Sequence, residues 1–223
     1  MKIIAKIETD MPDKFGIPRQ SGIVEELKGR IVFEPEYRIR EALDGIEEFS
    51  HLWLIWEFSE NIRENFSPTV RPPRLGGEKR KGVFATRSPF RPNPIGLSCV
   101  KLEKIVHTND KGTVLIVSGA DLMNGTPIYD IKPYIKYTDS RPESTQGFAE
   151  DFLDYALDVE ISEDILKIFS KEKQKALIGI LKHDPRPAYH NSSERIYGVK
   201  YAGYDIHFKV DGIKLTVTDA VKI

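Results

Sequence analysis

Six short runs dominate the first two thirds of the chain: KIIAKIET, RIVFE, HLWLIWEF, GVFATR, LSCVKLEKIVH and GTVLIVSGADL. Each is rich in β-branched or aromatic residues and bounded by Gly, Pro, Asn or Asp, which is how strands are punctuated. HLWLIWEF is too continuously apolar for a strand with one face in water, so a central position is predicted for it. Many short strands with few helices predict a closed or nearly closed barrel, which removes open sheet edges. One helix is predicted within this region, over PEYRIREALDGIEEF, with Pro35 near its start and Gly45 near its end.

The pattern changes after Tyr137. TDSRPESTQGFAED is polar and contains Pro, Gly and Ser, as a linker or exposed loop does. ALDVEIS beyond it reads as a strand. In SEDILKIFSKEKQKALIGILKHD, Ile165, Leu166, Ile168, Phe169, Leu177, Ile178 and Leu181 recur at helical spacing, with Ser162 as N-cap. RIYGVKYAGYDIHFKVDGIKLTVTDAV alternates, and Asp211-Gly212 sits where a hairpin should turn. The expected organisation is a mainly β chain: a barrel domain over residues 1–139 and a small C-terminal α+β domain over 140–223. At 223 residues there is enough chain to bury a core.

The net charge of −1 hides an asymmetry. From Arg71 to Arg91 seven basic residues face one acid, Glu78, so this segment is +6 and the remainder −7. The wider stretch from 71 to 98 is stiffened by Pro72, Pro73, Pro92 and Pro94, whose fixed φ and missing N–H confine them to loops or strand edges. Its middle, GVFATRS, is expected to be a strand delivering Arg87 to a rim, with Gly76-Gly77 as a pliable joint. Rigid positive charge suits a phosphate-bearing partner. The plain alternative is a proline-rich loop covering a barrel end.

Other function classes are excluded by what is missing. No apolar run approaches the roughly 20 residues that span a bilayer. The opening MKIIAKIETDMPDKF interrupts its apolar residues with charges, so no signal peptide is expected and the protein is read as cytoplasmic. A single cysteine, Cys99, rules out an internal disulfide or a multi-Cys zinc site, and the five histidines show no metal spacing. There is no G-x-G-x-x-G after a strand, no P-loop and no G-x-S-x-G, so a Rossmann-type nucleotide site is not expected.

Three further segments carry chemistry. In FGIPRQSG, Pro18 fixes the backbone before Arg19 and Gln20, pairing a guanidinium fork with an amide, as a planar, partly anionic ligand requires. Its alternative is a surface turn. In SGADLMNGTPIYDIKPY, Asn124-Gly125 marks a tight turn flanked by Asp121 and Asp130; the alternative is a hairpin capped by side-chain hydrogen bonds. In HDPRPAYH, two prolines hold Asp184, Arg186 and Tyr189, or the stretch is simply a helix stop followed by an extended connection.

In this order, "IPRQSG", "FSHLWLIWEF", "RPPRLGGEKRKGVFATRSPFRPNPIGLS", "DLMNGTPIYDIKPY" and "DPRPAY" resemble the TsaA-like family, and within it the TrmO-type tRNA methyltransferases. The resemblance implies a β-barrel catalytic domain, S-adenosylmethionine as methyl donor and a homodimer. It also implies a reaction: methylation of N6 of the threonylcarbamoyladenosine 3′-adjacent to the anticodon of threonine tRNA. By position it assigns the cofactor to Pro18, Arg19, Gln20, Phe58, Ser59, Arg87 and Leu97, and to the turn Asp121, Leu122, Met123 and Asn124. Arg71, Arg74, Lys79, Arg80, Lys81, Arg91 and Arg186 are then left for the anticodon loop of the tRNA. The acceptor nitrogen is urea-like and weakly nucleophilic, so a proton acceptor should help; Asp184 is the expected base and Tyr189 the expected stacking or positioning group. No metal is expected. A non-catalytic RNA-binding barrel, and a methyltransferase of the same fold with another acceptor, are the rival readings.

Overall fold

The computed structural model describes residues 1–62, 64–72, 75, 79–152, 155–186 and 192–223. In chain order its first part contains β1 (Ala5–Thr9), β2 (Lys28–Phe33), β3 (His51–Glu57), the short pair β4 (Thr69–Val70) and β5 (Lys81–Gly82), β6 (Ile95–Thr108), β7 (Gly112–Ser118), β8 (Pro127–Pro133) and α1 (Lys136–Asp139). A closed barrel forms in the order β1-β2-β7-β6-β3-β8, with β8 returning to β1. As expected, β3 is bracketed on both edges, by β6 and β8. Its alternate residues Leu52, Leu54 and Trp56 point inward, where they meet Ile7, Ile31, Val100, Leu115 and Ile128. Large side chains therefore fill the lumen, as in other small barrels.

Two local expectations fail. PEYRIREALDGIEEF forms three separate 3-10 turns, Pro35–Tyr37, Arg40–Leu43 and Ile46–Glu48, rather than one helix. Ile39 is extended and Gly45 is left-handed (φ 84°), which breaks any continuous helical ladder. In exchange Tyr37, Leu43, Ile46 and Phe49 all lay against the barrel core, and that burial outweighs local helix propensity. GVFATR is not a strand either. After Gly82 it turns into a 3-10 segment, Val83–Ala85, because its ladder partner, β4, is only two residues long.

The C-terminal part holds β9 (Asp158–Glu160), α2 (Glu163–Leu166), α3 (Lys171–Lys182), β10 (Tyr197–Tyr201), β11 (Tyr204–Asp211) and β12 (Lys214–Lys222). Its sheet runs β10-β11-β12-β9, and Asp211 and Lys214 close the expected hairpin. The single predicted helix is split in two. Ser162 caps α2 as expected, accepting from the Ile165 N–H at 3.4 Å, but Ser170 is extended and caps α3 anew through the Lys173 N–H.

A second core forms where α3 covers this sheet, and it draws residues from the far end of the chain. Met11, Val24 and Leu27 are buried in it beside Leu177, Ile180, Val199 and Phe208. Gly16 (φ 86°) comes so close to β10 that a Cβ there would fall 2.1 Å from Val199 Cγ2. Ion pairs Asp10–Lys173 (2.9 Å) and Asp13–Lys200 (3.3 Å) run along the same seam. The loop carrying Pro18, Arg19 and Gln20 is thus braced from below by the C-terminal part.

Candidate active site

The barrel brings three loops distant in sequence to one rim. Gln20 and Arg87, 67 residues apart, meet directly: the Arg87 guanidinium donates to the Gln20 amide oxygen. Ser21, next to Gln20, accepts through its hydroxyl from the Cys99 N–H at 3.1 Å, which ties the same loop to β6. Gly22 donates to the Gly119 carbonyl at 2.9 Å, joining it to the turn before β8. That turn is not a hairpin cap, since β7 and β8 are not ladder partners; the chain crosses the barrel there.

Inside the rim a hydrogen-bonded chain runs from the buried core to a half-buried carboxylate. Trp56 Nε1–H donates to Ser98 Oγ at 2.9 Å, and Ser98 donates to Asp121 Oδ1 at 2.6 Å. The direction is forced: an indole N–H only donates, so the Ser98 oxygen receives it and the one hydroxyl proton goes to the carboxylate. The geometry needs Gly96. Trp56 and Gly96 are cross-strand partners, and a Cβ on Gly96 would stand 2.2 Å from the indole ring. Burial pushes Asp121 up to about 6, against the opposing pull of the Ser98 hydrogen bond, the Arg87 charge and the Ser21 N–H. Phe58 stands on the outer side of Trp56, ring centroids 4.2 Å apart, its N–H held by the Pro94 carbonyl at 2.8 Å. Ser59 follows it at the start of a 3-10 turn, and Leu97 is exposed on β6.

Replacing Ser98 with alanine leaves a buried indole N–H unpaired and takes a donor from Asp121. It should cost about 1–3 kcal/mol, the usual penalty for an orphaned buried polar group. Urea unfolding reads this, and an unchanged midpoint would show that the chain adds nothing to stability.

Within the turn the roles divide. Leu122 is buried in the barrel core and anchors the loop. The Asn124 side-chain oxygen accepts from the Thr9 N–H at 3.1 Å, and the Asn124 backbone N–H donates to the Met11 carbonyl at 2.8 Å. The Met123 carbonyl takes both the N–H and hydroxyl of Thr126. Asp121 is therefore the side chain this turn directs into the rim, while Leu122, Met123 and Asn124 hold it there. Pro18 is buried and Arg19 exposed beside Gln20.

Asp184 is placed differently from the expected base. It follows α3 in a left-handed conformation (φ 52°), and its carboxylate is gripped by Arg186 through Nε at 2.8 Å and Nη2 at 2.9 Å. Tyr155 donates to it as well, at 2.7 Å. Burial pushes the carboxyl up, but the Arg186 and Tyr155 hydrogen bonds more than offset this and hold it below the ordinary range. A carboxylate so occupied is a weak proton acceptor, and the geometry favours a clamp on Arg186. Tyr189 and Arg74, like Gly76 and Gly77, lie outside the described residues. Of the basic residues, Arg71, Lys79, Arg80 and Lys81 are exposed; Arg80 Nε donates to Thr69 Oγ1 at 2.8 Å. Arg91 is half-buried, and Arg186 is neutralised by Asp184.

Ser98, Trp56 and Ser21 are the site residues that sequence reasoning missed. The signal was present for one of them: in IGLSCV the alternation turns Ser98 inward, where an unpartnered serine would be costly.

The rim can be compared with known proteins. The model of the tRNA-methyltransferase O N-terminal domain matches residues 6–140, and that of the TrmO C-terminal domain matches residues 154–223. The tRNA (adenine(37)-N6)-methyltransferase of Escherichia coli K12 is 37% identical over 93% of this chain and 91% of its own length. A putative S-adenosylmethionine-dependent methyltransferase, RcsF, of Pseudomonas aeruginosa PAO1 is 37% identical over 92% of this chain and 90% of that protein. The crystal structure of TrmO from Pseudomonas aeruginosa superposes with a TM-score of 0.75 at 31% identity, covering 98% of this chain and 97% of the other. Barrel, rim and matches together define the class, a β-barrel tRNA methyltransferase. The chain belongs to the tRNA-methyltransferase O family.

Proposed function

We propose that this chain methylates N6 of the adenosine 3′-adjacent to the anticodon, position 37 in its relatives' names, with S-adenosylmethionine as donor. The acceptor in this reading is the threonylcarbamoyladenosine of threonine tRNA, and the enzyme is a cytoplasmic homodimer. One observation carries it: an Arg87–Gln20 fork and a half-buried Asp121 carboxylate converge at one rim from three separate loops. That donor set suits the ligand. A guanidinium fork pairs with the carboxylate of the methionine part, and Asp121 takes its ammonium or a ribose hydroxyl. Phe58 and Leu97 offer apolar surface to the adenine, the buried Pro18 stiffens the loop beneath it, and Arg19, Ser59, Met123 and Asn124 border it. When bound, S-adenosylmethionine supplies an electrophilic methyl on its sulfonium.

The protein's part is alignment. Braced loops hold the reacting groups in line, and such pre-organisation replaces much of the entropic barrier of a two-body displacement. The free acceptor nitrogen is a poor nucleophile, so its orientation matters more than a base that is already engaged. In this division of labour residues 1–139 bind the donor, and residues 140–223 brace the donor loop and present the modified base, with Tyr189 stacking on it. Arg71, Arg74, Lys79, Arg80 and Lys81 hold the phosphates.

The test is incubation with S-adenosylmethionine and tRNA bearing or lacking the threonylcarbamoyl group, followed by nucleoside mass spectrometry. One added methyl on the carbamoylated nucleoside alone is expected. Methylation of the unmodified tRNA alone would overturn the acceptor, and methylation of neither would overturn the reaction.

A further inference from the structure

The 3-10 turn Val83–Ala85 makes two opposite choices in adjacent residues. Val83 is 1% exposed and anchors the turn, whereas the Phe84 ring is 73% exposed. Successive side chains of such a turn point about a third of a revolution apart, so anchoring the first sends the second outward. A phenyl ring left in water forgoes the gain that burial would bring, and it does so here in the middle of the chain's most basic segment. The ring also has a cation beside it. The Arg91 guanidinium carbon lies 5.8 Å from the ring centroid. Arg91 Nη1 is pinned by the carbonyls of Thr86 at 2.9 Å and Ser88 at 3.4 Å, so the pair is held in place rather than sampled. Lys81, two residues before the turn, lies over another ring, Phe148, at 5.8 Å.

We propose that Phe84, backed by Arg91, is a stacking platform for one unpaired base of the substrate RNA loop; the proposal rests on the reading of this chain as a tRNA methyltransferase. Proteins that hold single-stranded nucleic acid combine a basic track for the backbone with aromatic faces for the bases, because every base has a π-face. The exposed Arg71, Lys79, Arg80 and Lys81 supply the track and Phe84 the face. A protein partner fits less well, since Lys is depleted at protein interfaces and Lys79 and Lys81 stand exposed beside this turn. The ring has no hydrogen-bonding group, so it adds affinity without choosing a base, and the cation beside it strengthens the stack.

The experiment measures binding of a threonine-tRNA anticodon stem–loop to the full chain across a salt series, with S-adenosylhomocysteine present. Phe84→Ala should weaken binding roughly 5- to 150-fold, the loss carried by one stacked base, with the salt slope unchanged because stacking releases no counterions. Replacing Lys79, Arg80 and Lys81 with Ala should instead lower that slope by up to about 2. Phe84→Trp should keep the affinity, and its added emission should be quenched by the RNA. Parental affinity in Phe84→Ala would overturn the platform alone. A changed oligomeric mass in light scattering, with RNA affinity intact, would also overturn it and assign the ring to a protein contact. If the parent chain itself binds no stem–loop, the functional reading falls and takes the platform with it.

Discussion

Asp121→Asn should make the ligand-free protein more stable and the cofactor complex weaker. In the fold Asp121 titrates near 6 instead of its ordinary 3.8, because burial penalises the charge before any ligand can repay it. The sign follows from linkage: between those two values the native state holds a proton that the unfolded chain has released, so stability falls as pH rises through the window. A shift of this size is worth up to about 3 kcal/mol at neutral pH. The amide removes that cost while still offering an oxygen to Ser98. Urea unfolding of the two proteins should therefore separate as pH rises from about 4 to about 6, with the variant ahead, keep that full gap at higher pH, and converge below pH 4. Calorimetry with S-adenosylmethionine should show the reverse order, a loss of about 10- to 100-fold, since a hydrogen bond to a charged group is worth about 1.5–3 kcal/mol. A variant that binds as tightly as the parent would remove Asp121 from the donor site. Equal stability at neutral pH would mean that the buried charge is already fully compensated by Ser98, Ser21 and Arg87.

Asp184→Ala is expected to act mainly on stability. The substitution strands the Arg186 guanidinium, whose side chain is 11% exposed, without its two charge-assisted hydrogen bonds. Breaking a buried pair from one side costs about 3 kcal/mol or slightly more. Here the carboxyl is held below its ordinary value, so its contribution is present above pH 3.8 and fades as acid protonates it; the gap between parent and variant should close in that direction. Asp184→Asn keeps an acceptor for Arg186 and should be milder. In single-turnover methylation, measured where both proteins are folded, it should lose less than tenfold. A loss of 10²-fold or more with unchanged donor affinity is what removal of a general base produces, and would restore that role to Asp184.

Much of the barrel was legible because a strand's residue preferences are local. HLWLIWEF, LSCVKLEKIVH and GTVLIVS show their β-branched and aromatic composition within a few residues, and β3, β6 and β7 form on them. The helix expected over Pro35–Phe49 failed for the complementary reason. Its breaks at Ile39 and Gly45 serve apolar contacts with the barrel wall, and that wall is assembled from distant strands. The linked Ser98–Asp121 pair shows the same limit. Each residue is ordinary alone, and the two stand 23 positions apart along the chain.

The amino-acid order by itself determined most of the barrel strands, the concentration of proline and charge in residues 71–94, and the loop motifs that carry the family resemblance. All of these are properties of near neighbours along the chain. Only the tertiary structure decided that Gln20 would meet Arg87, that Trp56 and Ser98 would orient Asp121, and that Asp184 would be taken up by Arg186. It also sent Met11, Val24 and Leu27 into a core otherwise built from the last third of the chain. Barrel closure is the physical reason for the rim contacts. Pairing β8 back onto β1 fixes which loop ends share that rim, and no local preference encodes which loops those will be.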